Sequence, residues 1–252
     1  MHQIDEYSFS QDFADAWSAA GKHLQSKSGG TITWLRNNLS PPIIEHLSFR
    51  MGNRLFFIYV DAAECDINNK REDFISHCNR ASALPCVISM EKRGNEWTPI
   101  NFDWGIILAD TNAPINPIEL VDEEKIEISD WELQDFSLKR LAFEIENEGG
   151  EIIGMNSDPE VFPSCIFRKN EKTFFVILSA ARHPIQMAAM PINTPNVLRH
   201  LSGRTDGGYF ASIVVASSND PFIPDSLYGY PLYRGEGYYI KYSGLIPFHL
   251  DS

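Results

Sequence analysis

Cysteine is scarce in this chain. There are four in 252 residues (Cys65, Cys78, Cys86 and Cys165), and no two stand at the two-residue spacing that chelates zinc or runs thiol exchange. They read as free thiols in a reducing compartment, which points to a cytoplasmic protein that folds without disulfide or metal staples. Long apolar runs are also missing. The longest, such as Leu55 to Val60 and Phe210 to Ala216, are strand-sized and far below the roughly 20 residues that span a bilayer, so the sequence predicts no membrane span. The polar start, Met1 to Ser10 with Asp5 and Glu6, lacks the basic and apolar regions of a secretory signal.

Positive charge is in short supply. Lys and Arg number 21 against 34 Asp and Glu, a formal net charge of −13 with an isoelectric point near 4.9. The averaged field repels phosphate, and no Lys/Arg run builds a local basic patch. Bulk nucleic-acid and anionic-membrane binding are therefore disfavoured. The acidity serves solubility or steers a basic partner.

Catalytic signatures are lacking too. The chain has no Gly-x-Ser-x-Gly elbow, no phosphate loop ending in Gly-Lys-Ser/Thr, no His-Glu-x-x-His and no dinucleotide glycine fingerprint, so no cofactor is implied. Gly203-Arg204-Thr205-Asp206-Gly207-Gly208 clusters flexible residues with charge but reads as a turn between a helix and a strand. Of the seven histidines, His183 and His200 stand out. Arg182-His183-Pro184 follows a strand end, where ligands and catalysts gather, although a loop histidine is ordinarily just solvated.

What the chain has is apolar bulk, 43% hydrophobic and 12% aromatic with 16 Phe, and an internal echo. Phe49 to Ala63 aligns without a gap against Phe167 to Ala181, 118 residues later. Phe49-Arg50 matches Phe167-Arg168, the Phe-Phe and Ala-Ala pairs coincide, and Arg54 faces Lys172. Both segments have hairpin grammar, a strand, a tight turn at Gly52-Asn53 or Asn170-Glu171, and a second strand.

Upstream of each hairpin a helix opens on Gln-Asp-Phe (Gln11 to Phe13, Gln134 to Phe136) and stops on paired glycines (Gly29-Gly30, Gly149-Gly150). A short strand (Thr31 to Leu35, Glu151 to Met155) and a Pro-bearing loop (Ser40-Pro41-Pro42, Ser157-Asp158-Pro159) follow. Downstream come a helix (Arg71 to Arg80, Thr194 to Arg204), a strand (Leu84 to Met90, Tyr209 to Ala216) and, after Pro99 or Pro231, a last strand (Ile106 to Ala109, Tyr238 to Tyr242).

These readings predict an α+β fold made by tandem duplication of an αβββαβ(β) module, with two mixed sheets each flanked by helices. The modules would span residues 1–128 and 129–252, joined by the acidic stretch Glu119 to Asp130, a charged segment expected to pack poorly.

The order helix, three strands, helix, strand resembles the core of the restriction-endonuclease-like superfamily, the PD-(D/E)XK nucleases, most nearly from Asp158-Pro159-Glu160 to Arg182. That resemblance implies an acidic residue on the second strand and a carboxylate-x-Lys on the third, which together hold a divalent metal and position water. At the third-strand positions this chain has Ile177 and Ser179, and in the first half Ile58 and Val60, which bind no hard cation. The nearby carboxylates are Asp158 and Glu160, and Glu45 and Asp61. The resemblance therefore implies a module whose metal site has been lost in both halves.

Two further features bear on partners. The tail carries Tyr233, Arg234, Tyr238, Tyr239, Lys241 and Tyr242, a composition shared by core-covering strands and interaction surfaces. Strand alternation would put Tyr238, Ile240 and Tyr242 on one face and Tyr239 and Lys241 on the other. The matched Arg50 and Arg168 read as salt-bridging surface charges or as contacts between the halves. The leading expectation is a non-enzymatic protein-binding or adaptor protein. The alternatives are a small-molecule sensor using a cleft between the repeats, with Arg50, Arg168, Arg182, His183, Asp158 and Glu160 at strand ends, and an atypical metal-dependent hydrolase built from Asp158, Glu160 and His183.

Overall fold

The computed structural model describes residues 10–37, 39, 46–62, 67, 70–220, 222 and 227–248. Glu45, Cys65 and the Ser40-Pro41-Pro42 loop lie outside them. The chain is α+β, with helices flanking two mixed sheets, and it divides between Glu124 and Lys125 into two compact units.

In the first unit Ser10 caps α1 (Gln11–Lys27), its hydroxyl accepting the Phe13 N–H at 3.1 Å. Phe13, Ala16, Trp17, Ala20 and Leu24 recur at three- and four-residue spacing and are all buried. They cover one face of a sheet made of β1 (Thr33–Arg36), β2 (His46–Met51), β3 (Arg54–Asp61), β4 (Leu84–Arg93), β5 (Glu96–Pro99) and β6 (Ile106–Leu108), with α2 (Arg71–Arg80) between β3 and β4. The order is β1-β2-β3-β4-β5, with β6 on β4. All pairings are antiparallel except β3 with β4. Alternation sends Leu47, Phe49, Met51, Phe56, Ile58 and Val60 into the α1-side core. It turns His46, Ser48 and Arg50 to the other face.

The second unit has α3 (Asp130–Asn147), β7 (Glu151–Met155), β8 (Cys165–Lys169), β9 (Lys172–Arg182), α4 (Thr194–Leu201), β10 (Gly207–Ser217) and β11 (Tyr238–Pro247). Its sheet runs β11-β10-β9-β8-β7. Here too only the strands flanking the second helix, β9 and β10, are parallel. The hairpins share a register: Phe49 pairs with Phe56, and Phe167 with Phe174, each as a stacked couple with centroids 5.1 and 5.4 Å apart.

Several boundaries differ from the sequence expectation. The helix α3 opens at Asp130, not Gln134, because Ser129 and Glu132 form a capping box whose residues read as part of the acidic connector. That connector is pinned, not loose. Asn53 Nδ2 donates to Asp122 Oδ1 (2.6 Å) and to the Glu124 carbonyl (2.8 Å), and Arg54 bridges Asp122 and Glu124. These hydrogen bonds, from Asn53 first, hold the Asp122 carboxyl below its ordinary range. Past the division, the Ile128 N–H donates to the Leu232 carbonyl (2.8 Å) and the Arg234 N–H to Ile126 (2.9 Å).

The helix α4 stops at Leu201 before Gly203, and β11 continues to Pro247 through a bulge opposite Ala211 and Ile213. The hairpin strand β5 had no counterpart in the sequence reading. Both Gly-Gly stops begin on a glycine of positive φ, Gly29 or Gly149; they differ at the second, where Gly30 also takes positive φ but an added Cβ on Gly150 would stand 2.5 Å from Ile145 Cγ2. Among the described residues no helix is long and apolar enough to cross a membrane.

Candidate functional site

In the second unit β9 has 11 residues and β8 only 5. Pairing between them ends at Cys165 opposite Val176, while β10 follows β9 from Phe174 to Arg182 on the other side. The chain turns away from β9 at Ser164, whose N–H donates to the Val176 carbonyl (3.0 Å) and whose hydroxyl accepts the Leu178 N–H (3.2 Å). Gln134 Nε2 reaches the Leu178 carbonyl at 3.4 Å. Beyond that point the outer edge of β9 opens on a cleft of about 1020 Å³. Its walls are Asp130, Leu133 and Gln134 of α3, the Pro159–Phe162 turn, and the loop from Ile185 to Asn193.

Arg182, Glu160 and Ser179 line this cleft. Arg182 Nη1 meets Asp130 Oδ1 at 2.5 Å and its Nη2 donates to the Ile128 carbonyl at 2.7 Å, so the guanidinium clamps the start of α3. Asp158 accepts the Glu160 N–H through Oδ1 (3.0 Å) and orders the turn. That leaves Glu160 exposed on the wall. Asp135 anchors the same loop by accepting the Ser157 hydroxyl (2.9 Å).

His183 does not line the cleft. Its ring is buried edge-on to Phe222 at 5.6 Å, neither ring nitrogen has a hydrogen-bond partner among the described residues, and its N–H donates to the Val215 carbonyl. Asp158, Glu160 and His183 therefore do not form the hydrolase centre considered from sequence. Among the described residues no group of three His, Cys, Asp or Glu is placed to hold a metal.

The positions matched to the nuclease third strand part company. Ile177 packs with Phe175 and Phe210 on the α4 side, Ser179 faces the cleft, and Ile58 and Val60 lie in the first unit's core. Asp61 accepts the Ser89 hydroxyl (3.0 Å). Arg168 sits 3.5 Å from Glu151 on the surface, and Arg50 is half-buried with Nη1 lacking a hydrogen-bond partner. His200 lies on α4 with Nε2 3.2 Å from Arg204.

The Tyr-rich tail divides by alternation. Tyr238 and Tyr242 turn toward the α3-side core, Tyr238 against Phe136 with centroids 5.5 Å apart and with its hydroxyl donating to the Tyr233 carbonyl. Burial, with Glu148 and Glu144 nearby, pushes the Tyr242 hydroxyl up to about 12. Tyr239 and Lys241 are exposed on the opposite face. Arg234 does not belong to an interaction surface. Its side chain is 3% exposed and bound through Nε and Nη2 to a Glu132 that is 1% exposed, because a guanidinium fork satisfies a buried carboxylate best. Tyr233 is half-buried, with Lys125 Nζ 5.1 Å from its ring centroid.

The thiols of Cys78, Cys86 and Cys165 are buried, and burial raises all three, Cys165 to about 12. Such thiols stay protonated and unreactive.

Residues 131–248, all within the second unit, match the model of a family described as Domain of unknown function (DUF8840). No curated protein and no solved structure matches the chain.

Proposed function

We propose that the chain is a non-enzymatic protein-binding protein, an adaptor of two units that share descent from one module similar in element order to metal-dependent nucleases. The supporting observation is the cleft beside β9. Its loop rim exposes Ile185, Met190 and Ile192, the last completely. A run of exposed aliphatic and Met side chains around a concavity is costly to leave in water and suits a partner's apolar groups. The test is quantitative mass spectrometry of what co-purifies with the tagged protein from its own cell, compared with the double variant Met190→Asp/Ile192→Asp. Loss of a stoichiometric partner supports the reading, and a protein that co-purifies with nothing overturns it.

A small ligand in the same cleft is the second reading. It is favoured by the buried Gln134 amide, which makes only long contacts, 3.4 and 3.5 Å, at the cleft wall. A thermal-shift panel of metabolites and nucleotides tests it, since a ligand at one hundred times its dissociation constant adds about 2.7 kcal/mol.

A further inference from the structure

The backbone of β9 alternates its hydrogen-bonding direction. Odd-numbered residues serve β10, as the His183 N–H does on continuing the pattern to Val215. Even-numbered ones point outward: the Val176 carbonyl accepts the Ser164 N–H, the Leu178 N–H donates to the Ser164 hydroxyl, and the Leu178 carbonyl accepts Gln134 Nε2. The next outward groups are the N–H and C=O of Ala180 and the N–H of Arg182. Among the described residues no group satisfies them, and both residues line the cleft. The Arg182 carbonyl closes the row by accepting the Ile185 N–H (3.2 Å).

Three consecutive unpaired groups on a strand edge, facing a cleft in the place β8 would occupy if it continued, form a template for another strand. In the antiparallel pattern that β8 sets, Ala180 gives the reciprocal two-bond pair with one incoming residue, and Arg182 N–H holds a second.

The side-chain environment alternates to match. The Ala180 face is continuous with the α3-side core and meets Leu133. The Ser179 face is continuous with the α4-side cluster that contains Phe162. The charge at the rim is negative. Glu160 is exposed, Asp130 is 75% exposed beyond its bond to Arg182, and the whole chain carries −13.

We propose that a partner polypeptide adds to the second sheet as a short antiparallel strand on the outer edge of β9 at Ala180 to Arg182, and that this strand alternates apolar residues with Lys or Arg. The proposal rests on the protein-binding reading above. It assigns the partner's conformation and chemistry.

The test pans a displayed library of random nine-residue peptides on the full chain, then measures the enriched peptides by fluorescence anisotropy in plain form and with N-methyl groups at alternate positions. Enrichment of alternating apolar and basic sequences is expected, with loss of basic residues when the panning is repeated on Glu160→Lys. Ala180→Pro removes one outward N–H at a position where the ring meets no ladder bond. It should weaken binding about tenfold, the scale of one to two net hydrogen bonds, while Ala180→Val, which keeps the N–H, should bind within about threefold. Circular dichroism and melting temperature establish that both variants fold; if the proline variant does not, the N-methylated peptides still decide.

Peptides that bind equally well when N-methylated at every alternate register overturn strand addition. So does a cellular partner that Ala180→Pro retains but Met190→Asp/Ile192→Asp loses, an outcome that leaves the protein-binding reading standing. A library without binders together with a cell without a partner overturns both.

Discussion

Glu132 shows how one buried carboxylate fixes two parts of the second unit. Its Oε2 accepts the Ser129 N–H (3.0 Å) and closes the α3 cap, while both oxygens hold Arg234, 102 residues away in sequence. Each charge would be expensive to bury alone, and each is tolerated because the other satisfies it. Arg234→Ala leaves the carboxylate uncompensated and should cost about 3–5 kcal/mol, whereas Glu132→Leu/Arg234→Met should cost less than the single change. Urea denaturation reads both. His46 makes the opposite choice and is buried without a counter-charge. Burial first, then His77 and Arg36, hold its imidazole well below the ordinary 6.5, and its ring stacks on Phe57 at 4.5 Å. As pH falls below about 6.5 the unfolded chain takes up this proton and the folded one does not. The stability His46 contributes is therefore full above that pH and is lost below it, by at most about 1.4 kcal/mol per pH unit. Melting curves at pH 7.5 and 5.5 should converge for His46→Phe relative to the parent chain. An undiminished gap would assign the acid sensitivity to other groups.

At the scale of elements, what the sequence displayed was local. Gly52-Asn53 and Asn170-Glu171 announced two hairpins because turn chemistry is a short-range signal. Of these, Gly52, Asn170 and Glu171 take positive φ. The Phe-Phe pairs put apolar rings on both faces of β3 and β9, where Phe56, Phe57 and Phe175 are buried and Phe174 is half-buried. The cap of α3 was also present in the letters, as Ser129-x-x-Glu132, yet it was masked by the acidic run around it. The cleft could not be read. It arises because β9 outlasts β8, a difference in strand length that depends on where Ser164 turns, and because Gln134, Phe162 and Ile192 converge from distant segments. The fate of Arg234 was equally hidden, since nothing local distinguishes a buried arginine from an exposed one in Tyr-Arg-Gly. Close packing between elements also sets requirements that only the fold reveals. At the start of β10, Gly208 lies under the Phe175 ring, and an added Cβ would stand 2.1 Å from Phe175 Cζ. Gly208→Ala should displace that ring from its cluster with Ile177 and Phe210 and cost about 1–3 kcal/mol. Paired with Phe175→Leu, which vacates the space, it should cost less than the sum of the two single changes. Additive losses in urea melts would show that the ring is not what the alanine meets.

At the scale of the whole chain, each unit has its own apolar core, one gathered under α1 and the other under α3. A unit that buries its own core and closes its own sheet meets the conditions for folding alone. The division between Glu124 and Lys125 differs from the sequence-based boundary after residue 128 by four residues, and those four are not neutral. Ile128 is 2% exposed within the second core, its N–H donates to Leu232, and the Ile126 carbonyl accepts the Arg234 N–H. The acidic composition of the stretch concealed this, because two isoleucines among carboxylates read as linker when their partners lie about a hundred residues downstream. A fragment of residues 125–252 should fold cooperatively. A fragment of residues 129–252 loses two main-chain hydrogen bonds, each worth about 1 kcal/mol net, and the burial of Ile128, worth about 1.5–3 kcal/mol. It should be less stable by about 3–5 kcal/mol on those terms and should release the Arg182 guanidinium from the Ile128 carbonyl, loosening one wall of the cleft. Urea titrations of the two fragments, followed by circular dichroism, measure the difference directly. Equal midpoints would place the boundary after Ile128 and remove the connector from the account of what holds the cleft open.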